Sequence, residues 1–254
     1  MVDATLAAVG GAVLGVPVGS FLNVVIDRVP DRVSLRGPRE GEAADPVSWL
    51  GVPAQPWLLR GGRGGLPSAW LLVELATAGL FALFAWRYEG TAYVPALFVL
   101  CAALVAVSVV DLRLLRIPDR ITFPALGLAV PLVLLAAVHD VGLDPFVSAL
   151  IGAVTYFVLL LVPHLVYPRG MGFGDVKLAL LMGLFLGAAG WSGDFPVVGP
   201  FRLILYSLIL GCLLGIVFGV GKSVITRKRG EFPFGPALAA ACLVVLYYAP
   251  DLRL

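Results

Sequence analysis

The chain has 254 residues, of which 60% are hydrophobic and 13% charged, and its mean hydropathy is +0.98. Soluble globular domains carry about 25% charged residues, so a soluble domain is excluded. A net charge of +2 lacks the strongly basic footprint of a nucleic-acid partner.

About 20 apolar residues cross a bilayer core. The sequence therefore predicts an all-α polytopic transmembrane bundle of about eight spans, at roughly 4–26, 70–87, 92–110, 121–138, 146–167, 176–190, 201–221 and 234–250. The first run has no basic n-region and no small-residue cleavage site, and reads as a retained helix. The sixth is the shortest. Gly11, Gly15 and Gly19 form a small-residue ridge in the first span, and Gly211, Gly215 and Gly219 form one in the seventh. Spacing of four allows close helix approach. Gly219-Val-Gly221-Lys222-Ser223 is not a phosphate loop, because the required first glycine is Ile216.

Between spans one and two lies a Gly-, Pro- and Arg-rich stretch, about 27–69, read as a cytoplasmic loop subdomain. Of the Lys and Arg residues, 15 fall on the side of this loop and 3 (Arg87, Arg202, Arg253) on the other. The positive-inside rule makes the 15-residue side cytoplasmic, with both termini outward.

The cysteines, Cys101, Cys212 and Cys242, sit singly in apolar runs and read as small core residues. Without a CxxC pair they form neither a disulfide framework nor a metal site. His139 and His164 are not at ligand spacing. No metal site is therefore expected.

Ionisable groups at membrane depth are costly, and are functional candidates for that reason. Asp111 directly follows the third span and Asp175 directly precedes the sixth, both at the cytoplasmic boundary. Glu74 lies about one turn into the second span on the same side. Taken alone, a boundary aspartate also reads as a helix cap or an anchor pair, and Glu74 as a partner for a cation such as Lys177. Asp175 is preceded by Gly170, Gly172 and Gly174 at alternate positions. Glycines permit unusual backbone conformations and close approach of another chain, which suits a site for an extended peptide.

Gly172-Phe173-Gly174-Asp175 matches the GxGD motif, and Gly170-Met-Gly-Phe-Gly-Asp-Val-Lys-Leu178 resembles its context in the prepilin peptidases. Asp111-Leu-Arg-Leu-Leu-Arg-Ile-Pro-Asp119 resembles the first-aspartate segment of that family, and the separation of 64 positions between Asp111 and Asp175 agrees. So do Gly19-Ser-Phe-Leu-Asn23-Val-Val-Ile-Asp-Arg28, Leu72-Val-Glu74-Leu and Phe232-Pro-Phe-Gly-Pro236. These motifs cover nearly the whole chain in order.

The resemblance implies a membrane aspartyl endopeptidase of a prokaryotic inner membrane, working at its cytoplasmic face. It would cleave the leaders of type IV prepilins and pseudopilins, with Asp111 and Asp175 catalytic. Gly172, Gly174, Lys177, Glu74 and Asn23 would be supporting or substrate-binding residues. It further implies a division into an N-terminal region, 1–90, and a peptidase core, 91–254. Proteolysis needs no cofactor in this family, whereas N-methylation of the new terminus uses S-adenosylmethionine. Many relatives bind zinc through cysteine pairs in the first loop. Here Leu35 to Pro67 has no cysteine, although Trp49 and Trp57-Leu-Leu-Arg-Gly61 still resemble that domain. The same dyad also fits a signal-peptide-peptidase-like enzyme. A reading from another class is a transporter or channel using the carboxylates as an ion path. That reading predicts internal repeats, and the GxGD segment has no counterpart in the first half.

Overall fold

The structure, a computed structural model, describes residues 2–30, 68–168, 171–193, 197–226 and 233–251. Among these residues the regular structure is entirely helical: α1 (Val2–Arg28), α2 (Ser68–Arg87), α3 (Val94–Leu114), α4 (Asp119–Asp140), α5 (Asp144–Val166), α6 (Phe173–Ala189), α7 (Val198–Thr226) and α8 (Gly235–Tyr248). The expected loop subdomain and Gly170 lie outside the described residues.

Local chemistry sets several of these boundaries. Prolines occupy the first turns of α3, α5 and α8, where the missing N–H has no helical partner to lose. Prolines inside α1, α4 and α5 are tolerated in membrane helices, whose neighbours satisfy the freed carbonyls. Leu115 ends α3 in a left-handed conformation (φ 53°, ψ 37°), with its N–H donated to the Asp111 carbonyl at 2.9 Å. Pro118 then stands extended, immediately before α4.

Six of the described helices are long and apolar enough to cross a membrane. The other two, α6 with 17 residues and α8 with 14, are shorter. At 1.5 Å per residue they reach about 25 and 21 Å, against a hydrocarbon core of about 30 Å. Among the described residues the shortest helix is thus the last, not the sixth as the hydropathy pattern suggests. The polytopic all-α reading holds. Large apolar side chains such as Leu128, Leu135, Val154, Leu165, Ile216 and Val217 are exposed along α4, α5 and α7. In quantity, such exposure marks a lipid-facing surface.

The chain divides into two compact units, Met1–Gly90 with Cys101–Ala106, and Thr91–Leu100 with Val107–Leu254. In the first, the Gly11–Gly15–Gly19 ridge faces α2. A Cβ on Gly11 would lie 2.6 Å from the Phe81 carbonyl oxygen, and one on Gly15 would lie 2.5 Å from the Ala78 Cα. In the second unit, α6 is central: every residue but Phe173, Gly174, Lys177 and Leu180 is buried. Its partner is α5, and their seam is lined by Gly152, Gly183 and Gly187. A Cβ on Gly187 would lie 2.5 Å from the Ser148 carbonyl oxygen, and the Ser148 hydroxyl donates to the Gly187 carbonyl at 3.1 Å. This seam fixes the helix that carries Asp175. Of the second predicted ridge, Gly211 lies against Leu238 of α8.

The cysteine expectation holds for Cys101 and Cys242, which are buried, but Cys212 is exposed. On an apolar face of α7, that places it among the lipid-facing residues.

Candidate active site

Asp111 lies in the last turn of α3, because the helix runs on to Leu114 instead of stopping before the aspartate. Asp175 lies in the first turn of α6, whose N-cap is Gly172, and its N–H donates to the Gly172 carbonyl at 3.1 Å. The two side chains are 5% and 6% exposed. Ile117 lies against both Gly174, the residue before Asp175, and Gly235, whose N–H binds Asp111. Two aspartates far apart in sequence are thus both buried at helix ends around one isoleucine.

Each carboxylate has a distinct environment. Asp111 Oδ2 accepts a hydrogen bond from the backbone N–H of Gly235, at the start of α8, at 3.0 Å in a buried setting. An ionised acceptor makes this bond stronger than a neutral one, and the positive end of α8 adds to it. Asp175 Oδ2 lies over Gly172. Its other oxygen, Oδ1, is buried and has no hydrogen-bond partner among the described residues. Buried polar atoms are seldom left so.

The backbone around Asp175 is held from outside. His164 shares a hydrogen bond between its Nδ1 and the Met171 carbonyl at 2.9 Å, and its ring packs on Phe173 with centroids 5.2 Å apart. The Lys177 ammonium lies 4.9 Å from the centre of the Phe173 ring, a cation–π contact. Neither Gly172 nor Gly174 has a left-handed φ; the described glycines that do are Gly90, Gly142 and Gly193. The requirement at these glycines is therefore space, not unusual backbone angles. A Cβ on Gly174 would lie 2.7 Å from the Cβ of Ile117, and one on Gly172 would lie 3.3 Å from Asp175 Oδ2.

Lys177 donates to both oxygens of Asp119, at 2.8 and 2.7 Å, and so is committed to a different carboxylate from the Glu74 offered by the sequence. Asp119 lies beyond the end of α3 and is the first residue of α4. Its side chain is 52% exposed, and exposed pairs contribute at most about 1 kcal/mol. We expect Asp119→Asn to keep at least about half of the wild-type turnover, with a loss of stability of about 1 kcal/mol or less. Steady-state cleavage and a thermal melt of the detergent-solubilised protein check this.

In the N-terminal unit, Glu74 is buried on α2, six positions after the helix begins, with its Cα packed over Gly19. Asn23 is also buried, and its side-chain amide donates to the Trp70 carbonyl at 3.1 Å. The sequence reading gave no role to two residues that touch the site, Ile117 and Gly235. A glycine caught between Phe234 and Pro236 at a predicted helix start was the available signal for the second.

The family profile described as the type IV leader peptidase family matches residues 98–220, a stretch that contains both aspartates. A prepilin leader peptidase/N-methyltransferase of Xanthomonas campestris pv. campestris is 32% identical, over 94% of this chain and 90% of the relative. This chain belongs to the type IV leader peptidase family. Proteins of the same description from Neisseria gonorrhoeae (30% identical, covering 92% of this chain and 88% of the relative) and Pseudomonas aeruginosa (28%, 94% and 89%) are similar over comparable lengths. No solved structure matches the chain. Membership makes the chain an aspartic peptidase with a polytopic membrane fold. Nothing in these relatives favours a transporter.

Proposed function

We propose that the chain cleaves the leader peptide of type IV prepilin-like and pseudopilin precursors at the cytoplasmic face of a prokaryotic inner membrane, with Asp111 and Asp175 as the catalytic pair. The observation that carries this reading is the burial of both carboxylates at the ends of α3 and α6, around the one side chain of Ile117, in a chain whose relatives are named prepilin leader peptidases. Two neighbouring carboxylates do not both ionise readily, so the pair holds one proton. The ionised member takes a proton from water as that water attacks the scissile carbonyl. The protonated member stabilises the oxyanion and then gives its proton to the leaving amine.

The partners are then the precursor protein and the lipid bilayer. The apolar helix of the pilin stays in the membrane, and its basic leader meets the carboxylate-bearing face. Residues 1–90 form an N-terminal region and 91–254 the peptidase core. Gly172 and Gly174 give the room in which Asp175 sits, and Lys177 steadies Phe173 beside it. Glu74 and Asn23 are supporting residues within the N-terminal unit. Both termini face outward.

The printed names of the relatives include an N-methyltransferase activity, for which S-adenosylmethionine is the methyl donor in this family. The first loop, where many members of the family carry zinc-binding cysteines, has none here, and proteolysis by the aspartate pair calls on no cofactor. One experiment reads both activities. The purified protein is incubated with a prepilin-like precursor, with and without S-adenosylmethionine, and the product is weighed by mass spectrometry. Loss of the leader mass is expected in both samples. An uncut precursor in both would overturn the reading, and a further gain of one methyl mass, in the presence of the donor alone, would assign methylation.

A further inference from the structure

We propose that Gly235 is a positioning residue for the peptidase reaction: its backbone N–H fixes the Asp111 carboxylate, and the side chain of Ile117 sets where that N–H stands. The inference rests on the reading of Asp111 and Asp175 as the reacting pair.

Gly235 and Asp111 are 124 positions apart, and the hydrogen bond between them is buried. The first N–H groups of a helix have no partner within it. The Gly235 N–H, first in α8, is therefore available to another element, and it is given to Asp111. With Oδ2 held, the carboxylate of Asp111 cannot turn freely, and its other oxygen is left for chemistry. Asp175 Oδ1, buried without a partner among the described residues, provides the second reactive oxygen.

Space is as closely set as the hydrogen bond. A Cβ at position 235 would lie 2.8 Å from Asp111 Oδ2 and 3.3 Å from Ile117 Cδ1. Ile117 also fills the space in front of Gly174, the residue before Asp175. One isoleucine thus lies against two glycines, one beside each carboxylate. It stands between the starts of α6 and α8 as a spacer. Its own place follows from the left-handed turn at Leu115 and the extended Pro118 on either side of it.

The test compares Gly235→Ala, Ile117→Ala and Asp111→Asn with wild type, using the full chain in detergent and a synthetic prepilin-like precursor. Gly127→Ala is the control, since a Cβ there meets nothing within 4 Å. A displacement of about 1 Å at a reacting group can cost about 10²-fold in rate. Gly235→Ala is expected to lower the single-turnover rate at saturating substrate by about 10²-fold, with KM within about twofold and the thermal midpoint close to wild type. Ile117→Ala, which adds no clash, is expected to lose about 10-fold by the same displacement argument. Near-normal saturating rates, or a rise in KM with the rate kept, would overturn the proposal. Should Gly235→Ala fail to fold, Ile117→Ala decides alone, by the same two outcomes. Asp111→Asn separates the layers: if it is inactive while Gly235→Ala is normal, only the positioning role fails; if it is active, the aspartate pair itself fails.

Discussion

Asn at position 111 or at position 175 is expected to lower the cleavage rate by at least about 10³-fold, within the range that general acid–base groups contribute. The two substitutions should cost about the same, because the pair works as a unit and either member alone cannot both hold and deliver the proton. Asp175→Asn keeps the shape of the side chain but puts an amide where a buried oxygen has no partner among the described residues. Asp111→Asn keeps an acceptor for the Gly235 N–H only if the amide oxygen turns toward it. Neither change opens a cavity, so the fold should persist. Precursor cleavage measured over hours, with a thermal melt of each variant, checks both halves. Processing near the wild-type rate by either variant would remove that carboxylate from the reaction.

The sequence disclosed much of this arrangement through hydropathy. Runs of 18 or more apolar residues locate helices without any knowledge of packing, and α1 to α5 and α7 lie where the runs lie. The two short helices were legible as elements but not in their boundaries. Hydropathy starts α6 at Val176, whereas the helix begins at Phe173, because a first turn containing Gly-Asp is stabilised by its contacts and not by its apolarity. The same limit placed Asp111 beyond α3 when it is inside the final turn. What pairs with what was less legible. Lys177 is near Asp119 only because α4 and α6 bring them together, and no spacing rule links residues 58 positions apart. Gly235 and Ile117 were legible only as members of motifs, for a related reason: the partner of a backbone donor and the contacts of an isoleucine leave no trace in residue type. The Gly152–Gly183–Gly187 seam is a milder case: Gly183 and Gly187 have the spacing of four that marks close packing, but the partner glycine lies on another helix.

Gly174→Ala should be the most damaging single methyl group in the GxGD segment. Of the two reasons the sequence offers for this glycine, backbone freedom and close approach, the first does not apply: its φ is not left-handed, and alanine can adopt the same angles. The damage comes from space. The new methyl carbon would lie 2.7 Å from Ile117 Cβ, an atom next to the backbone that cannot swing away, and 3.5 Å from Ile117 Cα. Either Ile117 retreats with the turn that holds it, or the first turn of α6 shifts and takes Asp175 with it. Both moves disturb the placement of one carboxylate relative to the other. A shift of about 1 Å at a reacting group costs about 10²-fold, and that is the expected fall in single-turnover rate. Stability should fall far less, because α6 is held along the rest of its length by the α5 seam and alanine is the better helix former by roughly 1 kcal/mol. Gly172→Ala should be milder, at about 10-fold under the same displacement argument: its methyl would meet Asp175 Oδ2 at 3.3 Å, a contact that a small turn of the carboxylate relieves. The control is Gly127→Ala, where a methyl group meets nothing within 4 Å and the rate should stay at the wild-type value. A normal rate in Gly174→Ala would show that the contact between residues 117 and 174 does not set the position of Asp175.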